Sequence, residues 1–130
     1  MKKIAAALGL VMAATSWAGV SSSLEDFQTV GALASQCRAA ELFMRGKPVP
    51  KDQGDDLVLC FGYIAGEGEA VAAAGDFLPY CRPQGALVGQ RALIFLAWAD
   101  RHPETHYLAR IYGLQAALAE TFPCQPPTAP

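Results

Sequence analysis

The chain has 130 residues, twelve acidic against ten basic, with 52% hydrophobic positions. That balance excludes the clustered basic face a nucleic-acid binder needs and the polybasic patch of an anionic-lipid anchor. The length suits one domain.

The N-terminus carries a cationic Met1-Lys2-Lys3, an uncharged apolar run over residues 4–17, and small residues two apart in Ser16-Trp17-Ala18. This is the order of a cleavable signal peptide, with the cut expected after Ala18. The run is shorter than the ~20 residues a membrane-spanning helix needs, and Ser21-Ser22-Ser23 follows it directly. No cysteine stands where a lipoprotein box would require one. Removing residues 1–18 leaves 112 residues with eight basic and twelve acidic side chains, a net charge of −4. Residues 19–28 read as a flexible lead-in.

The first predicted helix covers residues 29–44, where Val30, Leu33, Cys37, Ala40 and Leu42 recur at near-helical spacing. Gly46-Lys47-Pro48-Val49-Pro50 ends it, because proline has no backbone donor to continue the ladder. The second helix opens on Asp55-Asp56, whose carboxylates suit the positive helix start. It continues through Leu57, Cys60, Phe61, Ile64, Gly68 and Val71, with Gly75 as its expected C-cap. A linker with Pro79, Cys81 and Pro83 leads to a third helix over residues 85–101. Its inward stripe is Leu87, Val88, Arg91, Ile94, Phe95 and Trp98, with Arg91 expected to snorkel. Leu93 and Leu96 fall off that stripe, which predicts burial on more than one face, in the core or against a partner. The fourth helix is expected from Pro103, a residue tolerated in a first turn, to about residue 121, with Tyr107, Leu108, Ile111, Leu114, Gln115, Leu118 and Phe122 facing inward. Residues 125–130 form a proline-rich tail expected to fray.

No sustained alternation and no hairpin signal occurs, so the expected fold is all-α: a small orthogonal bundle of four helices, with room for a fifth short turn. The four cysteines, Cys37, Cys60, Cys81 and Cys124, are even in number and predict two disulfides in an exported chain. Three connectivities are open on spacing alone. No two cysteines lie close enough for a metal clamp, and no cofactor or metal is expected.

Gly62 and Gly66 lie four apart in the second helix, where such glycines make a smooth strip for a neighbouring helix to approach. No Lys-Ser/Thr follows them, which argues against a phosphate loop. His102 and His106 share a spacing that would suit a metal on a continuous helix, but Pro103 breaks that geometry and no third ligand is evident. Asp55-Asp56 read as helix-start residues, and Glu67 and Glu69 face different ways. No catalytic set stands out, so an enzyme is not expected.

The blocks Cys60-Phe61-Gly62-Tyr63-Ile64-Ala65-Gly66, Cys81-Arg82-Pro83, His102-Pro103-Glu104 and Phe122-Pro123-Cys124 fall in one order, with Cys37 upstream. Together they resemble the Rap/Tai family, immunity proteins against type VI secretion amidase effectors, over residues 29–124. The resemblance implies the pairings Cys37–Cys60 and Cys81–Cys124. It also implies a periplasmic, homodimeric protein of a Gram-negative bacterium that blocks a peptidoglycan amidase sterically. The expected contact elements are the corner bearing Asp100, Arg101, His102, Glu104 and His106, and the exposed face of the third helix. A bland interhelical turn is the alternative for that corner. The rival functions are an envelope structural or adaptor protein of the same fold and, with least support, an enzyme or metal carrier.

Overall fold

A computed structural model describes residues 28–74, 80–81 and 84–124. The expected signal peptide, the lead-in before residue 28, the Gly75 cap, Pro79, Pro83 and the tail lie outside the described residues. Among the described residues four helices carry the fold: α1 (Val30–Met44), α2 (Gly54–Ala74), α3 (Val88–Arg101) and α4 (Arg110–Thr121). Short 3₁₀ turns stand at Lys51–Gln53 and Pro103–Thr105. Among the described residues there is no strand, only an isolated bridge between Thr29 and Ala109. No described helix is long and apolar enough to cross a membrane.

Thr29 is the N-cap of α1: its Oγ1 accepts from the Ala32 N–H at 3.2 Å, satisfying one of the donors a helix start leaves free. Gly46 ends the helix with a φ of +66°, a left-handed conformation that glycine adopts without strain. Asp55 and Asp56 do occupy the first turn of α2. At the start of α3 the Gln90 side chain reaches back, its Oε1 accepting from the Leu87 N–H at 3.1 Å.

The helix α1 packs on all three others. Val30, Leu33, Cys37 and Ala40 meet Cys60 and Ile64 of α2, Phe95 and Ala99 of α3, and Leu114 and Leu118 of α4 in one core. Each large side chain buried there contributes roughly 1.5–3 kcal/mol. Leu96 is buried in the core, whereas Leu93 is half-buried and borders a shallow apolar hollow with Ile94 and Phe122.

The two disulfides are Cys37–Cys60 and Cys81–Cys124, the pairs the resemblance implied. The first is sealed in the core between α1 and α2; the second is exposed and ties the segment before α3 to the residues after α4. Their partners lie 23 and 43 residues apart. On loop-entropy grounds loops of that size are worth roughly 3–4 kcal/mol each.

Three expectations need correction. The fourth helix begins at Arg110, not Pro103. Pro103 starts only a 3₁₀ turn, after which the Arg110 N–H donates to the Gln28 carbonyl at 2.7 Å and Ala109 bridges to Thr29. This pairing pulls the chain out of helical geometry, so Tyr107 is exposed instead of facing inward. Arg91 does not snorkel: it is buried beside the carboxylate of Glu67, Nη1 to Oε2 at 3.6 Å. Glu67 in turn accepts from the Tyr80 hydroxyl at 2.9 Å. Finally, a Cβ built on Gly62 or Gly66 finds nothing within 4 Å among the described residues. The close approach falls instead on Gly68, where a Cβ would collide with the Arg91 guanidinium.

Candidate partner-binding surface

The corner between α3 and α4 is held from several sides. Asp100 at the end of α3 pairs with Arg38 of α1, whose Nη1 donates to Oδ2 at 3.1 Å and whose Nη2 donates to Oδ1. The hydrogen bond to Asp100 raises the Arg38 pKa above its ordinary value and keeps the guanidinium charged. Arg101 reaches Glu120 of α4, Nη2 to Oε1 at 2.8 Å. The His102 ring lies over Trp98 with centroids 4.6 Å apart, and its Nδ1 faces Glu104 Oε1 at 3.1 Å. Glu104 sits below the usual carboxylate range, first because of its own backbone N–H and then because of His102. His106 Nε2 donates to the Ala99 carbonyl at 3.0 Å, satisfying an acceptor near the end of α3.

The same corner also finishes the start of α1. The Val30 N–H donates to the Leu108 carbonyl at 2.8 Å and the Gly31 N–H to the His106 carbonyl at 3.0 Å. With Thr29 capping Ala32, three of the four free donors of that helix start are matched. The two histidines serve different tasks, one on a carboxylate and one on a backbone carbonyl. Among the described residues no three His, Cys, Asp or Glu side chains group as metal ligands.

All five sequence-predicted corner residues are therefore brought to one end of the bundle, each engaged by a neighbour. Asp100, Arg101 and Glu104 keep exposed faces, and His102 and His106 are half-buried. Two exposed aromatics stand near them in sequence, Tyr107 and Tyr112, 78% and 67% accessible. Sequence reasoning missed them by assigning Tyr107 to a buried helical stripe. The one usable signal was the Pro103 break, which allowed the helix to restart later. A third tyrosine, Tyr63 of α2, lies under the Arg110 guanidinium at 3.9 Å. Burial raises its pKa above the ordinary 10.0, with Arg110 opposing the shift.

At the other end of α1 lies an apolar groove of about 620 Å³, bordered by Phe43, Met44, Leu57, Val58, Phe61 and Val88. Phe43 meets Phe61 edge to face with centroids 6.0 Å apart. Met44 closes in on α3 at Gly89, where a Cβ would sit 2.5 Å from its Sδ. The exposed Gly62 lines this groove and Gly66 follows it one turn on. Each glycine costs α2 ~1 kcal/mol relative to alanine, and no contact among the described residues offsets it.

The fold is a small helical module stapled by two disulfides, with an ordered polar corner at one end of α1 and an open apolar groove at the other. The chain belongs to the Rap1a immunity proteins, a family that matches residues 29–124 and so spans every described helix. No curated protein and no solved structure matches it significantly.

Proposed function

We propose that this immunity protein works in the periplasm of a Gram-negative cell, where it binds a peptidoglycan amidase delivered by a type VI secretion system and occludes its cleft. The observation that carries this reading is the family match over residues 29–124. The inhibitor acts sterically and performs no chemistry of its own. Two disulfides fit an oxidising compartment. The corner from Asp100 to Tyr107 is the contact element. Its internal bonds, from Arg38–Asp100 through His106–Ala99, support that role, since a loop already ordered loses little entropy on binding. Tyr107 supplies an aromatic anchor of the kind enriched at interface centres. The protein forms a homodimer in this reading, as the family resemblance implies.

The test is genetic and biochemical. A strain lacking this gene is expected to die beside an attacker that delivers the amidase, or when the amidase is expressed in its own periplasm, and to grow normally alone. Envelope defects in the deletion strain without any toxin would point to the adaptor role instead.

A further inference from the structure

We propose that the groove between the end of α1, the first half of α2 and the start of α3 docks a helix of another protein, one presenting small apolar residues flanked by basic ones. Phe43 and Val58 are 56% and 69% exposed there, and Met44 is also open to solvent. Such residues scattered singly are ordinary, but here Phe43, Met44 and Val58 border one hollow. Gly62 lines the groove with no side chain to obstruct an incoming backbone. The groove and the corner lie at opposite ends of α1, a helix of 15 residues, which is about 20 Å at helical rise. Contact at the corner does not of itself require the groove, and the inference goes beyond the function proposed above.

Charge selects the occupant. The 21 residues of α2 include Asp55, Asp56, Glu67 and Glu69 and no lysine or arginine. Glu67 is buried against Arg91. Asp55, Asp56 and Glu69 make no ion pair among the described residues. Lys47 and Lys51 lie in the connection before α2, leaving the helix face itself acidic. A second copy using this face would set its own Asp55, Asp56 and Glu69 against these, with cations only from the connection at Lys47 and Lys51. A helix with basic residues at both ends of a small-residue face meets Asp55 at one end and Glu69 at the other.

The test is to pan a phage-displayed library of helical peptides against the full-length, oxidised protein. Enriched peptides are expected to carry Gly, Ala or Ser along one face and Lys or Arg at its ends, and to bind more weakly as salt is raised. The Gly62→Leu/Gly66→Leu variant keeps its fold, because both sites are open, and is expected to bind the selected peptide at least about tenfold more weakly. The Asp55→Lys/Glu69→Lys variant is expected to prefer peptides with acidic ends. No enrichment, enrichment without basic ends, or binding that survives the leucine pair overturns the proposal. So does a sedimenting dimer that the leucine pair abolishes, because the occupant is then a second copy. None of these variants touches the corner, so they test the groove apart from amidase inhibition.

Discussion

Glu67→Ala is expected to be among the most damaging single changes outside the disulfides. Both Glu67 and Arg91 are buried, at 7% and 5% exposure, and each is the other's only ion-pair partner among the described residues. Removing the carboxylate leaves a guanidinium in the core that cannot lose its charge. Breaking a buried pair in this way costs about 3–5 kcal/mol, and loss of the Tyr80 hydrogen bond adds about 0.5–1.5 kcal/mol. A domain of this size is stable by only about 5–15 kcal/mol, so the variant loses a large share of its margin. The pair itself is a poor net stabiliser, since Glu67 Oε2 and Arg91 Nε and Nη1 lack hydrogen-bond partners among the described residues. Replacing both charges, as Glu67→Leu/Arg91→Met, is therefore expected to return stability to within about 2 kcal/mol of the parent. Urea unfolding followed by far-ultraviolet circular dichroism, with both disulfides intact, measures the set. A loss below about 1 kcal/mol for Glu67→Ala, or a double variant as unstable as the summed single changes, refutes the reasoning.

Other outcomes follow from the same geometry. Under a mild dithiol in native buffer, alkylation and mass spectrometry are expected to find Cys81 and Cys124 modified well before Cys37 and Cys60, since only the Cys81–Cys124 bridge is exposed; simultaneous labelling contradicts this. Thr29→Ala is expected to destabilise by about 1 kcal/mol through loss of the α1 cap, read as a lower urea midpoint at unchanged slope. Ultraviolet difference titration is expected to show the Tyr63 phenol ionising above the ordinary phenol range, because burial raises its pKa. Because its folded pKa is raised, the unfolded phenol ionises first, so Tyr63 lowers stability as pH climbs from about 10 towards the folded value. Glu104→Ala/Tyr107→Ala is expected to weaken amidase inhibition while leaving the unfolding midpoint nearly unchanged, since both side chains are exposed; unaltered inhibition moves the contact away from the corner.

Much of the fold was legible because its signals are local. The apolar spacing of Val30, Leu33 and Cys37, the prolines after Gly46 and the acid pair at Asp55 each mark an element that the structure shows. The misreadings share a cause, which is contact between distant segments. Pro103 does open a turn, but Ala109 and Arg110 are claimed by Thr29 and Gln28, and no local pattern announces that. Arg91 was visible on an inward stripe, whereas its partner Glu67 belongs to another helix. The spacing of Gly62 and Gly66 advertised a smooth strip without saying whether the chain itself would cover it. The corner was found by its polarity, but its capping of α1 through the Leu108 and His106 carbonyls depends on backbone geometry that side-chain identity does not encode.

Steric inhibition of a cell-wall amidase is tested most directly by titrating the purified, oxidised protein into the proposed cognate type VI amidase and following release of cleaved peptidoglycan peptide. Loss of activity that is complete at one protomer per enzyme, with the substrate excluded and the inhibitor recovered intact, is the predicted result. Full amidase activity in the presence of excess protein, with no complex detected by gel filtration, would contradict it.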